Sequence, residues 1–139
     1  MNTDSNRLQR SLFATLPLVL ATFLGACVAP GASERTGQLN HVGLVWLKEP
    51  GNAAQSQQLI DAVHAFAREI PEVRSASVGT ALPQASTFVD SSFDVCLVLR
   101  FDDQAAMDRY AQHPVHQKAA HEVFLPFAQK LLFYDFVGE

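Results

Sequence analysis

The chain has 139 residues, 48% of them hydrophobic, and a formal net charge of −4 at pH 7. A chain of this length has room for one compact domain. The acidic balance argues against a nucleic-acid partner and against electrostatic docking on anionic lipid, because both depend on a surplus of Lys and Arg. We therefore expect no nucleic acid among its partners.

Residues 1–26 have the features of a secretory signal. A polar start that carries Arg7 and Arg10 is followed by the uncharged run "LFATLPLVLATFLGA". This run is shorter than the roughly 20 apolar residues needed to span a bilayer, but it suits the core of a signal peptide. It ends in "LGAC", which resembles a bacterial lipobox, and the resemblance implies that Cys27 is lipid-modified and begins the mature protein. The alternatives are a plain secretory signal, or a start codon set too early on a cytosolic protein.

These features predict three segments: a lipoprotein signal peptide at residues 1–26, a flexible tether at 27–39 and a domain at 40–138. The tether is small and polar, a composition that cannot bury enough surface to order itself. The lipid on Cys27 is then the attachment to a membrane. The predicted location is the bacterial cell envelope, facing the periplasm, on either the inner or the outer membrane. With Cys27 lipidated, Cys96 has no intrachain disulfide partner, and we interpret it as a small buried core residue.

The first half of the domain predicts a strand, a helix and a second strand. In "HVGLVWLK" (41–48) both alternating sets of side chains are apolar, so both faces of this strand are predicted to be covered. Residues 55–70 repeat apolar side chains at helical spacing, and Pro71 stops the helix. Residues 73–82 alternate weakly and fit a second strand.

The second half of the domain predicts a strand, two helices and a last strand. The segment "FDVCLVLRF" (93–101) is the clearest strand of the chain. Asp102 or Asp103 is expected to cap the helix that follows, and Pro114 suits the first turn of the next helix. Residues 131–138, "LLFYDFVG", form the predicted last strand, again apolar on both faces.

The order strand, helix, strand, strand, helices, strand predicts an α+β, ferredoxin-like fold: an antiparallel sheet of four strands with helices on one face. The helices cover only one side of the sheet, yet the first, third and fourth strands are apolar on both sides. An uncovered face of this kind would be an adhesive patch on the order of several hundred Å². We therefore expect a homodimer in which two sheets pack face to face as a dimeric α/β barrel.

The domain resembles the stress-responsive dimeric α/β-barrel (Dabb) family over about residues 39–138. The resemblance rests on "HVGLVWLK", "FAREIPEV", a Gly in the second strand ("VGTA") and "FDVCLVLRFDDQAAMDRYAQHPVHQKAAHEVFLPF". Its most specific element is the string Y-x-x-H-P-x-H, preceded by a strand that ends in Phe-Asp and followed by a last strand with Asp and Phe. The resemblance implies a dimer of ferredoxin-like subunits, each with a cavity between its sheet and its helices.

The same resemblance implies three site residues. In one plant member of the family, a polyketide cyclase, a Tyr and a His of this string carry out an aldol condensation, and a His of the first strand lines the pocket. The matching positions here are Tyr110, His116 and His41. A neutral imidazole is a competent general base at neutral pH, and a Tyr hydroxyl beside it can polarise a carbonyl. The alternative is structural, with His116 hydrogen-bonded to backbone at the mouth of a pocket.

Three further residues are candidates for ligand contact: Gly43, Val45 and His113. Gly43 and Val45 share a face of the first strand with His41, and Gly43 leaves open space above the sheet for a ligand or a packed helix. His113 lies three residues before His116 and is able to reach the same cavity. It also suits a cap of the preceding helix, and we favour this structural interpretation.

The density of histidines does not indicate a metal site. Zinc sites on helices favour the spacing H-x-x-x-H, whereas His113 and His116 are separated by two residues, one of them Pro, and no second Cys or carboxylate triad completes a ligand set. We expect no metal and no cofactor. That expectation includes haem, although related barrel families contain haem-degrading enzymes. His64 and His121 lie mid-helix without companions and are interpreted as solvated or interfacial.

Three hypotheses for the function follow. The first is a lipid-anchored, dimeric module that binds a small hydrophobic metabolite between sheet and helices. The second is a lyase or cyclase-type enzyme in which His116 is the general base, with Tyr110 and His41 assisting proton abstraction next to a carbonyl. The third is a stress-associated structural dimer without chemistry. If the side chains of His116, Tyr110 and His41 converge on a void large enough for a ring, the first two hypotheses are favoured.

Overall fold

The computed structural model describes residues 37–83 and 86–139. The predicted signal peptide at residues 1–26, the predicted lipidation site Cys27 and most of the predicted tether lie outside the described residues, so these assignments stay predictions. Within the described ranges, no helix combines the length and the apolar composition needed to cross a membrane.

The described chain consists of strands, helices and one π-helical turn. In chain order these are β1 (Leu39–Leu47), α1 (Ala53–Glu69), β2 (Ser75–Thr80), β3 (Val95–Phe101), α2 (Gln104–Gln112), α3 (Pro114–Ala119), the π-helical turn (Ala120–Phe124), α4 (Leu125–Phe127) and β4 (Ala128–Val137). The order matches the one predicted from the sequence. The last strand is longer than predicted, because it begins at Ala128 instead of residue 131.

The strands form one antiparallel sheet in the order β2-β3-β1-β4. The helices pack against one face of this sheet, so the predicted α+β, ferredoxin-like class is confirmed. Because β1 pairs with both β3 and β4, the first and last strands of the domain are neighbours. This pairing brings residues from opposite ends of the domain together on the helix-covered face.

Helix α1 begins where the sequence supplies a cap. The side chain of Asn52 accepts a hydrogen bond from the backbone N–H of Gln55 at 3.0 Å, which satisfies one of the unpaired donors of the first turn. Leu59, Val63 and Phe66 recur at helical spacing and are buried against the sheet. The helix therefore presents one apolar stripe to the core, as its periodicity predicts.

Helices α2 and α3 meet at a sharp junction that the sequence specifies. Asp103 caps α2, since its carboxylate accepts from the backbone N–H of Ala106 at 2.7 Å. Pro114 occupies the first turn of α3, and His113 before it has extended backbone angles, as the residue before a proline prefers. The chain changes direction at His113, which lets residues of both helices face the same space.

The π-helical turn links α3 to the last strand. Its backbone is wider than an α-helix, and the N–H of Leu125 donates to the carbonyl of Ala120. Pro126 follows directly and contributes no N–H to the helix. Lys48 fixes the end of α4, because its ammonium donates to the carbonyl of Pro126 at 2.7 Å and its backbone N–H donates to the carbonyl of Phe127 at 2.9 Å.

The core lies between the sheet and the helices. Alternate residues of β3 are buried there, as their spacing predicts, and they pack against the stripe of α1 and the buried side chains of α2. Cys96, interpreted from the sequence as a buried core residue, is instead half-buried on the opposite face of the sheet, because it alternates with these residues. The fully buried large side chains are Val45, Leu47, Leu59, Val63, Ile70, Val95, Leu99 and Phe101.

Candidate ligand-binding site

The register of β1 with β4 places His41 directly opposite Asp135. The Nδ1 atom of His41 lies 2.6 Å from Oδ1 of Asp135. A carboxylate accepts hydrogen bonds, so Nδ1 of His41 carries a proton and donates it to Asp135; in the neutral form of the ring this leaves the lone pair on Nε2. The aspartate thereby fixes both the orientation of the His41 ring and its tautomer.

The next inward-facing pair along these strands is Gly43 and Phe133. The Phe133 ring lies so close to Gly43 that a Cβ atom at this position would come within 2.8 Å of it. The same ring stacks on His41, with centroids 4.9 Å apart and planes inclined by 15°. The space above Gly43, which we expected to admit a ligand or a packed helix, is filled by Phe133. Gly43 acts on the site indirectly, by letting this aromatic wall lie flat on the sheet.

Tyr110 on α2 and His116 on α3 come together across the helix junction. Tyr110 is only 4% exposed, and its ring centroid is 4.3 Å from that of His116. The Nδ1 atom of His116 lies 3.2 Å from the carbonyl oxygen of Ala111. A carbonyl oxygen only accepts, so Nδ1 carries the proton and Nε2 of His116 is left as an acceptor.

Burial determines the protonation of this pair. It raises the pKa of the Tyr110 hydroxyl well above its ordinary value, so the hydroxyl stays protonated and available as a donor. Burial also lowers the pKa of His116, and the effect exceeds the opposing hydrogen bond to the carbonyl of Ala111. At neutral pH the site therefore offers a hydroxyl donor next to a neutral imidazole.

These side chains line one cavity of about 180 Å³ between the sheet and the helices. Its walls are His41, Phe66, Leu97, Tyr110, His116, Ala119, Ala120, Phe124, Leu125, Leu131 and Phe133. Among the described residues, those that line it include no Lys, Arg, Asp or Glu. An apolar cavity of about 150 Å³ in another protein binds benzene, so the space here suits a single ring with a short substituent.

The structure brings three of the predicted site residues together and places three elsewhere. His41, Tyr110 and His116 all line the cavity, with 6.3 Å between the ring centroids of His41 and Tyr110. Val45 is completely buried in the core. His113 caps α3, since its Nδ1 accepts from the backbone N–H of Val115 at 3.3 Å.

Of the residues suggested as ligand contacts, Gly43, Val45 and His113 are therefore not among the cavity walls. His64 and His121, interpreted as solvated or interfacial, are exposed on the subunit. In the described ranges, no three His, Cys, Asp or Glu side chains are close enough to share a metal ion.

Two residues of β4 belong to the site although the sequence analysis assigned them no role: Asp135, which orients His41, and Phe133, which forms a wall. The string "LLFYDF" contains both, and alternation places them on one face of the last strand. Their partners on β1 depend on the register between two strands at opposite ends of the domain. The aromatic pair Phe66 and Phe124 completes the apolar lining from the helical side.

Comparison with known proteins identifies the family to which this chain belongs. None of the curated proteins matches the sequence at a significant level. Solved structures do match. A Dabb family protein with a ferredoxin-like fold from Mesorhizobium loti is 24% identical, with a TM-score of 0.61, and the match covers 75% of this chain and 99% of that one.

Two other solved structures illustrate the range of proteins that share the fold. A dimeric protein of unknown function with a ferredoxin-like fold from Bacteroides fragilis is 21% identical, with a TM-score of 0.60, over 73% of this chain and 97% of that one. A hydroxynitrile lyase from Passiflora edulis is 19% identical, with a TM-score of 0.66, over 76% of this chain and 96% of that one. The sequence model of the stress responsive A/B barrel domain matches residues 39–138. The chain therefore belongs to the stress-responsive α/β-barrel (Dabb) family.

Proposed function

We propose that the domain binds a small, neutral and mostly apolar molecule in the cavity between its sheet and helices, holding a carbonyl or hydroxyl oxygen of that molecule at Tyr110 and His116. The observation that carries this proposal is the composition of the cavity wall. Three polar side chains converge in a wall that is otherwise aliphatic and aromatic. Sites for small molecules commonly have this character, with few polar groups that fix orientation in an apolar surround.

The wall also limits the charge of the ligand. No ionic side chain is present among the described residues that line the cavity, so a carboxylate or an ammonium group would be buried there without a counter-charge. Burying an unpaired charge is strongly unfavourable. A carbonyl group, in contrast, accepts a hydrogen bond from the Tyr110 hydroxyl, and a ligand hydroxyl donates to Nε2 of either imidazole.

A second candidate is a lyase or cyclase-type reaction that begins with proton abstraction next to a carbonyl. Both imidazoles have Nδ1 bound to an acceptor, Asp135 for His41 and the Ala111 carbonyl for His116, which leaves Nε2 as the basic atom of each ring. His116 is the general base in this proposal, Tyr110 polarises the carbonyl, and His41 is the second polar contact. General-base catalysis of this kind contributes about 10²–10⁴-fold in rate. The hydroxynitrile lyase has the same fold.

We also propose that the domain is a homodimer joined through the face of the sheet that the helices leave uncovered. The centre of this face is a pair of cross-strand rows, Val98–Val42–Tyr134 and Cys96–Leu44–Leu132. Tyr134 and Phe136 are 55% and 54% exposed on the subunit.

Polar contacts flank this apolar centre. At one end Arg100 donates to the side chain of Asn40, and at the other the ammonium of Lys130 lies 4.2 Å from the Trp46 ring. An apolar centre with a polar rim is the usual anatomy of a protein interface. Structurally similar proteins from Bacteroides fragilis and Thermobifida fusca are dimeric. A purely structural dimer without a ligand is the remaining alternative, and it gives no role to the cavity.

We further propose that Cys27 carries a lipid anchor that holds the domain in the cell envelope on the periplasmic side. This proposal rests on residues 1–27 of the sequence alone. Mass spectrometry of the N-terminal peptide from a bacterial host should show diacylglycerol on Cys27, and Cys27→Ser should release the protein from the membrane fraction. An unmodified Cys27 in membrane-free protein would contradict it.

The binding proposal is tested by native mass spectrometry of protein purified from its own host, followed by titration with acetophenone. We expect a retained small molecule, and we expect Tyr110→Phe to weaken acetophenone binding, because the substitution removes the donor and keeps the ring. His121→Ala, at an exposed position, is the matched control and should bind normally. Equal affinities for wild type and Tyr110→Phe would contradict the assigned role of the hydroxyl.

The enzyme proposal has a separate test. Exchange of the methyl protons of acetophenone with deuterated water should be faster in the presence of the wild-type protein than in buffer. His116→Ala should reduce this catalysed exchange to the rate in buffer while Tyr110 still binds the ketone. Binding without catalysed exchange would leave a binding module and exclude proton abstraction from this ketone.

A further inference from the structure

A second apolar groove lies on the other side of the cavity wall. It has a volume of about 180 Å³ and runs between α1 on one side and α3 with the π-helical turn on the other. Its lining is formed by Ala62, Ala65, Phe66, Val115, Lys118, Ala119, Glu122 and Val123. The groove is shallow and open to solvent, and the ion pair between Lys118 and Glu122, with atoms 3.9 Å apart, lies at its polar side.

Two of the described residues, Phe66 and Ala119, line both the groove and the cavity. Ala119 contributes only a methyl group. Phe66 is 2% exposed, and its ring is oriented towards the site, with its centroid 5.8 Å from that of Tyr110 and 6.1 Å from that of His116. Phe66 and Ala119 therefore form the partition between the cavity and the groove. This partition is one aromatic ring and one methyl group thick.

We propose that Phe66 determines the length of ligand that the cavity accepts, by closing the cavity on the side of the groove. This inference rests on the proposed binding function. The oxygen of the ligand is held at Tyr110 and His116, and its apolar chain extends towards Phe66. The preferred ligand class is then a short-chain or single-ring carbonyl compound, and a smaller side chain at position 66 joins the cavity to the groove and admits a longer chain.

The composition of the groove fits this role. Apart from the ion pair of Lys118 and Glu122, its lining is alanine, valine and phenylalanine. An alkyl chain that passed the partition would leave water for an apolar surface, and each methylene buried in this way raises affinity about fourfold. The aromatic contacts of Phe66 with Tyr110 and His116 hold the ring in place in the wild-type protein.

The chain offers a matched control. Phe124 lines the cavity but not the groove, and it is 7% exposed. Phe124→Leu therefore widens the cavity by the same change of side chain as Phe66→Leu, without removing the partition. A difference between the two variants reports on the partition and not on cavity volume alone.

The experiment measures the affinity of straight-chain methyl ketones, from 2-butanone to 2-dodecanone, by calorimetric titration of the three proteins. For the wild type we expect affinity to rise about fourfold per methylene and then to stop rising at the length where the chain meets Phe66. In Phe66→Leu the rise should continue for at least three further methylenes. In Phe124→Leu the chain length at which affinity stops rising should change by no more than one methylene.

The outcomes separate this inference from the binding proposal. One contrary result is that affinity stops rising at the same chain length in Phe66→Leu as in Phe124→Leu while short ketones bind normally. This result would overturn the role of Phe66 and leave the binding proposal intact. Failure of the wild type to bind a ketone of any length would overturn both. If Phe66→Leu does not fold, as judged by its circular dichroism melting curve, Phe66→Met conserves the volume and is flexible enough to open the partition.

Discussion

The two faces of the sheet are made by the same strands, yet they have different surroundings. On the helix-covered face, His41 of β1 and Phe133 of β4 line the cavity, while Asp135 holds His41 and Gly43 leaves room for the Phe133 ring. On the other face, Val42 lies between Val98 and Tyr134, and the described chain places no helix over them.

Alternation along β1 alone explains why neighbouring residues serve different purposes. Successive side chains of a strand point to opposite faces, so His41 enters the ligand site while Val42 enters the proposed dimer interface. The strand therefore couples the ligand site to the proposed dimer interface, because a shift of its register by one residue would exchange the side chains on the two faces. A substitution on one face can therefore be judged against the unchanged properties of the other face.

The largest effect is expected from a charge at the centre of the uncovered face. Leu44→Asp places a carboxylate in the proposed interface of each subunit, and an unpaired buried charge costs about 3–5 kcal/mol. Light scattering at micromolar concentration should show wild-type dimers and Leu44→Asp monomers. Gln58→Asp, at an exposed position of α1, should remain dimeric. A monodisperse wild-type monomer would contradict the interface.

A smaller effect is expected from Gly43→Ala on the helix-covered face. The added Cβ would lie within 2.8 Å of the Phe133 ring, so the ring has to move away from His41. Overpacking of this kind costs about 1–3 kcal/mol of folding free energy. Denaturant unfolding should show this loss when Gly43→Ala is introduced into the wild type, and a smaller loss when it is introduced into Phe133→Ala. A loss of folding free energy that is just as large in the Phe133→Ala background would show that a contact other than the Phe133 ring restricts position 43.

The contact between His41 and Asp135 is expected to contribute less, because the carboxylate is partly exposed. Asp135→Ala should lower acetophenone affinity by about tenfold or less, since a net hydrogen bond contributes about 0.5–1.5 kcal/mol. Asp135→Asn should recover part of this loss, because its amide oxygen still accepts from Nδ1. The oligomeric state should be unchanged in both variants. Equal affinity in Asp135→Ala and wild type would contradict the orienting role.

The smallest expected effect is a dependence on pH. The pKa of His116 in the fold lies below its ordinary value, so the unfolded chain takes up this proton first as the pH falls. The stabilisation of the fold by neutral His116 is therefore present above about pH 6.5 and is lost as the pH falls below it. Thermal unfolding between pH 8 and pH 5 should be less pH-dependent in His116→Gln, whereas His64→Gln, exposed on α1, should match the wild type.

The sequence predicted the fold because its signals are local. Alternation, helical spacing, the cap at Asp103 and the placement of Pro114 in the first turn of α3 each depend on a few neighbouring residues, and all of them agree with the structure. The grouping of Tyr110, His116 and His41 was also predicted, through the family resemblance. The dimer and the lipid on Cys27 stay predictions.

The features of the site that could not be predicted from the sequence depend on contacts between distant segments of the chain. Asp135 became the partner of His41 through the register of β1 with β4, which no single strand shows. Val45 shares a face with His41, but a strand pattern does not reveal which part of that face the helices cover completely. His113 was open to two interpretations because a capping histidine and a ligand-binding histidine have the same local sequence.

The central claim is that the helix-covered face binds a small neutral ligand while the opposite face binds a second subunit. A two-dimensional NMR titration of the isotope-labelled protein with acetophenone tests it most directly. We expect saturable shifts at Tyr110, His116 and Ala120 and unchanged signals at Val42 and Val98. Shifts that centre on Val42 and Val98, or no saturable shift at the cavity, would contradict it.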